Sequence, residues 1–206
     1  MRSRRAQART DMSGSVRKYD RVTLWLHAAL ALGVLIQLSL SAVMHVPAGP
    51  GLGVRDWHRE AFEIHARTGL FVVVACALHW LWLCLPYARP GITQLFPWLK
   101  RDNRTRIVRE FRDLIGLRTP SSRSLSPLAG TVHGLGLLAV SGSATGGIIN
   151  YLGYFVGVPV PRAVLHWVSL SHVLFGYAIW IFVMGHVAMA LQHWQARIRQ
   201  DRRQLV

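Results

Sequence analysis

From Ala163 to Ala196 the chain runs without one Asp, Glu, Lys or Arg, yet it carries four histidines: His166, His172, His186 and His193. About 20 mostly apolar residues suffice to cross a bilayer as a helix, so this run is long enough to span one. Imidazoles in such a run are costly and call for a reason beyond anchoring. His172 and His186 stand 14 residues apart, which returns them to nearly the same helix face, displaced by about 21 Å along the axis. Two rings pointing the same way, one near each leaflet, suit two cofactors stacked across a membrane. Each would take one nitrogen from this helix and one from a neighbour, as haem iron does with axial histidine.

Three more stretches lack charged side chains: Val22 to Val54, Thr68 to Ala88, and Ser124 to Pro161. The expected fold is therefore all-α, an integral membrane four-helix bundle with haems bound between helices and no soluble domain. The spans fall at about 22–46, 62–86, 126–154 and 163–194, within a transmembrane domain covering 21–196. A basic tail precedes it at 1–20, another follows at 197–206, and a basic loop occupies 87–125. The 206 residues hold 24 Lys plus Arg against 9 Asp plus Glu, a net charge of +15 that would by itself point to nucleic acid. Its distribution argues otherwise. Seven basic residues precede the first span, nine lie between the second and third, four follow the fourth, and only three sit in the other two loops. By the positive-inside rule both termini and the middle loop are cytoplasmic, and the basic surplus is a topology signal with attraction to anionic lipid as a second effect. Met1 to Asp20 reads as a polar, mobile tail rather than a signal peptide, because the apolar run after it is too long.

Candidate site residues lie in all four spans. His27 sits about 8 Å inside the cytoplasmic end of the first. His65 lies about one turn inside the outer end of the second, with Arg67 close by. Gly69 follows His65 at i+4, where a missing side chain would let a flat macrocycle approach. His79 is 14 residues beyond His65, repeating the fourth-span spacing. His133 faces the cytoplasmic half of the third span, where a structural or propionate hydrogen bond is favoured over iron ligation because that helix offers no second histidine. His45 and His58 read as interfacial side chains near Trp57. Cys76 and Cys84 are too far apart on one helix to bridge and read as buried apolar thiols. Gly142 and Gly146 make a GxxxG spacing for close helix contact or cofactor room. In the middle loop Ile107, Val108, Phe111, Leu114 and Ile115 alternate with arginines as an amphipathic helix on the inner leaflet, with docking of a cytoplasmic subunit as the alternative. Depth makes His65 and His172 the outer pair. His186 lies on the inner side, where His27 and His79 compete to face it.

Four stretches carry a family resemblance: YDRVTLWLHAALAL around His27, HARTGL with His65 and Gly69, VHGLGLL through Gly147, and HVLFGYAIWIFVMGHVAMALQHW from His172 to Trp194. Together they resemble the bacterial cytochrome b-561 family and its relatives, the b-type membrane subunits of nickel-iron hydrogenases and formate dehydrogenases. The resemblance implies two haem b groups with bis-histidine ligation, His65 and His172 on the outer one and His27 and His186 on the inner one. His79 stands where the family usually has arginine, Ala28 where it has tryptophan, and the third-span proline is missing. The implied role is electron transport in the bacterial inner membrane, with quinone or quinol and a periplasmic or cytoplasmic redox protein as partners and a homodimer left open. A quinone-linked oxidoreductase, a haem-binding anchor subunit of a larger complex, and a non-redox scaffold or transporter are the competing classes. Arg21, Arg67 and Arg162 are candidates to offset propionate charge.

Overall fold

Inside lipid a backbone must satisfy its hydrogen bonds within itself, so charge-free runs of this length fold as helices. The computed structural model describes residues 19–44, 56–116 and 126–204, without the side chains of 56, 192–197 and 199–204. Among them there is no strand. Helix α1 spans Arg21–Val43, α2 Asp56–Leu83, α3 Ile92–Leu95, α4 Arg101–Ile115, α5 Pro127–Tyr151 and α6 Arg162–Gln204, with a single 3-10 turn at Pro97–Leu99 and a π turn at Leu152–Val156. Four of these helical stretches are long and apolar enough to cross a membrane: Arg21–Val43, Trp57–Leu83, Pro127–Val156 and Arg162–Leu191. The protein is an all-α, four-helix membrane bundle. Expectations for the N-terminal tail, for His45 and for the ring of His193 lie outside the described residues.

Two boundaries differ from the sequence reading. Helix α2 starts at Asp56 rather than near Phe62, because its first two turns are polar and read as loop by charge alone. Helix α6 continues through the basic segment to Gln204, so what reads as a tail is a helix, built from good helix formers with no Gly or Pro to stop it. Cys76 is buried as expected, but Cys84 is exposed, lying just past the last turn of α2.

Packing follows chain order: α1 lies along α2, α2 along α5, and α5 along α6. The core draws Leu30, Val34 and Leu38 from α1, Val72, Ala75 and Leu83 from α2, Leu137 and Val140 from α5, and only Ile179 from α6. Much of α6 therefore faces outward, with Trp167, Leu174, Ile181 and Met184 exposed to lipid. Gly142 and Gly146 are the close-contact pair the spacing implies: a Cβ on Gly142 would lie 2.6 Å from the Phe175 ring, and one on Gly146 3.1 Å from the His172 Cβ.

The middle loop is more than a surface helix. Leu95 is buried, and the backbone carbonyls of Gln94 and Leu95 press against Gly130 and Gly134, where no Cβ could fit. This seats α3 on the first turns of α5. The start of α5 is capped by Ser126, which accepts from the Ala129 N–H at 3.0 Å, and by Glu110 of α4, which accepts from the Leu128 N–H at 2.9 Å. A carboxylate there also meets the positive end of the helix dipole. Helix α4 leaves Val108, Phe111 and Ile115 exposed beside its arginines.

At the same end of the bundle Asp20 ties α1 to the end of α2. Its carboxylate accepts from the Thr23 N–H at 2.7 Å, the Thr23 hydroxyl at 2.6 Å and the Arg89 N–H at 2.8 Å, while the Trp82 indole donates to Thr23 Oγ1 at 3.0 Å. Partial burial pushes the carboxyl up, but donors from Thr23, Arg89 and Trp82 outweigh it and hold Asp20 at about 2, below the ordinary 3.8. The unfolded chain thus binds more protons than the folded one between these values, so this contribution is present above about pH 4 and is lost as pH falls toward 2.

Two outcomes are expected in detergent. Replacing Asp20 with Ala should lower thermal stability by about 1 kcal/mol through the lost cap. In fluorescence-monitored melts, the advantage of wild type over Asp20→Asn should shrink as pH drops from about 5 toward 3. Separately, Gly134→Ala should cost about 1–3 kcal/mol by unseating α3, read as a lower melting midpoint.

Candidate functional site

Six histidines lie within the bundle at two depths. In the half that the sequence reading takes as the outer one, α2 carries His65 and α6 carries His172, with ring centroids 6.2 Å apart and planes at 86°. The His172 ring reaches α5, where its Nδ1 lies 2.8 Å from the Ser143 carbonyl and 3.3 Å from the Ser143 hydroxyl. A carbonyl only accepts, so Nδ1 carries the proton and Nε2 is left with a free lone pair. Gly147 makes this approach possible, since a Cβ there would lie 3.3 Å from the His172 Cε1. Gln37 of α1 reaches across to α2, its Nε2 donating to the His65 carbonyl at 3.1 Å and the Thr68 hydroxyl at 2.6 Å.

In the inner half, a cavity of about 400 Å³ opens among α1, α2, α3, α5 and α6, lined by apolar side chains and by His27, His79, His133 and His186. Its volume lies in the range of small-molecule and cofactor sites. His27 and His186 have ring centroids 6.4 Å apart, His133 stands 5.0 Å from His186 and 6.1 Å from His27, and Phe182 stacks on His186 at 5.5 Å. His133 Nδ1 lies 2.7 Å from the Ala129 carbonyl one turn earlier and must donate to it. The structural hydrogen bond expected for His133 is present, but the residue also belongs to the inner ring cluster.

Donor chemistry fits a metal held between two imidazoles. Such a nitrogen sits about 2 Å from a first-row metal and about 1 Å from its own ring centre, so opposed ligands have centroids about 6 Å apart. His65 with His172, His27 with His186, and His27 with His133 all meet that separation. The Nδ1 atoms of His65, His79 and His186 are buried with no hydrogen-bond partner among the described residues. Orphaned ring nitrogens at this depth are expensive unless something completes their coordination.

The remaining sequence candidates are placed as follows. Gly69 faces Gln37, whose Oε1 would lie 3.7 Å from a Cβ there, so the notch beside His65 is shared with an amide from α1. Arg67 is exposed and lies 3.7 Å from Glu63 one turn earlier, an ion pair on the protein surface. His58 stacks on Trp57 at 3.6 Å and bonds the Val43 carbonyl, joining the outer ends of α1 and α2. Gln37 and Ser143 escaped the sequence reading. Their one signal is a hydrogen-bonding side chain within an apolar span.

The sequence profile of the prokaryotic cytochrome b561 family matches residues 18–200, which takes in all four spans and every histidine described above. No curated protein and no solved structure matches the chain. With its paired imidazoles at two depths of a four-helix membrane bundle, the chain belongs to the prokaryotic cytochrome b561 family, bacterial membrane proteins that bind b-type haem and transfer electrons.

Proposed function

We propose that this protein is a di-haem cytochrome b that carries electrons across the bacterial cytoplasmic membrane, between the quinone pool and a redox partner. The observation that carries the reading is that α6 faces a partner imidazole at two depths: His172 opposite His65, and His186 opposite His27, with centroids 6.2 and 6.4 Å apart. His65 and His172 hold an outer haem, His27 and His186 an inner one. Haem bound there would supply a one-electron redox centre, and ligation by two histidines would disfavour oxygen binding.

The chain's own groups do the rest. Ser143 fixes the tautomer and orientation of His172, the outer-shell task that ligating imidazoles generally need. Leu30, Val34, Leu137 and Ile179 line the inner cavity and exclude water from it. His79 and His133 line the same cavity beyond the ligand pair and supply hydrogen-bonding nitrogens to the bound group. The arginines of α4 and those after Ala196 support a cytoplasmic inner cavity with both termini on that side, and α4 on the anionic leaflet with the exposed Val108, Phe111 and Ile115 toward the acyl boundary.

A second reading, a haem-binding anchor subunit of a larger dehydrogenase or hydrogenase, draws on the folded α3–α4 segment, which presents a basic surface at the proposed cytoplasmic side. Copurification of a catalytic subunit from native membranes would favour it.

The purified protein should hold two haems per chain and give a b-type dithionite-reduced minus oxidised spectrum. His65→Ala and His172→Ala should each remove one haem, and His27→Ala and His186→Ala the other, while His79→Ala and His133→Ala keep both. Loss of a haem in either of the last two would move the inner ligand to that residue, and a colourless protein would end the reading. A fluorescent protein that matures only in the cytoplasm should light up when fused after Val206; a dark, full-length fusion would reverse the topology.

A further inference from the structure

Gln37 is an amide in the last third of a membrane span, where an unused hydrogen-bonding group is costly. Both of its N–H groups are committed: one to the His65 carbonyl at 3.1 Å, the other to the Thr68 hydroxyl at 2.6 Å. The Thr68 hydroxyl hydrogen goes in turn to the Ile64 carbonyl at 2.7 Å. This chain of partners fixes which way the amide points. A flip would set Gln37 Oε1 against the His65 carbonyl, two acceptors face to face. The oxygen instead faces the Gly69 notch, 3.7 Å from where a Cβ would stand, one helical turn from His65 on the same face of α2.

We propose that Gln37 is a positioning residue for the outer site, clamping the His65 turn of α2 to α1 and holding the negative end of its amide dipole beside that site. The inference rests on His65 and His172 holding a haem. A fixed dipole of that sign favours the oxidised, more positive state of a redox centre, and hydrogen bonding around the ligands is one of the levers that set haem potentials. Thr68 serves the same end by taking the second N–H, which leaves the amide one orientation.

The test is a spectroelectrochemical titration of the full-length haem-loaded protein, with the outer signal identified as the one missing from His65→Ala. Gln37→Met keeps the length and helix propensity of the side chain and removes the amide. The outer midpoint should rise in Gln37→Met, or the outer haem should be lost on its own, with the inner signal unmoved. Thr68→Val, which removes the hydroxyl and keeps the shape, should shift the outer midpoint the same way by less, and decides the matter if Gln37→Met does not accumulate. Full haem content with an unchanged outer midpoint in both variants would overturn the proposal, as would equal shifts of both signals, which mark general loosening. Failure of the underlying reading looks different: His65→Ala would then leave the haem content of the protein intact.

Discussion

A ring nitrogen inside a bilayer must find a partner, and this requirement organises the bundle more than apolar packing does. His172 and His133 meet half of it by donating Nδ1–H to backbone carbonyls of α5, which leaves each with an Nε2 lone pair. His65, His79 and His186 keep buried Nδ1 atoms for which the described residues supply nothing. A membrane protein that needed only to span would replace these rings with leucine. Retaining them at matched depths is what makes the four helices a cofactor scaffold.

The cost appears in the packing. Consecutive spans close on one another, but α6 brings only Ile179 to the common core, and its inward face is given largely to histidine and phenylalanine. Helix α5 makes the arrangement possible. Its small residues let the Phe182 and Phe175 rings and the His172 side chain press directly against it, and Gly130 and Gly134 accept the carbonyls of α3 in the same manner. One helix thus serves as spine for both neighbours.

The spans were legible in the sequence because lipid excludes charge, and a charge-free run of sufficient length has few other uses. The juxtaposition of His65 and His172 was legible because each stands a similar distance into a helix entered from the same side, after Asp56 and after Arg162. The inner cluster was not, since periodicity fixes a face on one helix but not how neighbouring helices are rotated, and His27, His79 and His133 all turn toward the cavity that His186 lines. Helix α3 was hidden because its contact is a backbone carbonyl on a glycine, which leaves no mark in hydropathy. The early start of α2 was hidden for the opposite reason: Asp56, Arg59, Glu60 and Glu63 advertise a loop, although i,i+4 pairs such as Arg59 with Glu63 at 3.5 Å suit a helix emerging from the membrane.

The two sites also differ in what surrounds them. The outer pair sits among hydrogen-bonding side chains from three helices, Gln37, Thr68 and Ser143, whose partners leave them little freedom. The inner pair sits in a larger, mostly apolar cavity with two additional imidazoles and with Tyr19 at its mouth, where burial pushes the phenol up from its ordinary value. Identical axial ligands in unlike surroundings hold their electrons at unlike potentials. Under the di-haem reading, any preferred direction of electron flow is therefore written in the neighbours of the four ligand histidines, since the ligands themselves are the same at both depths.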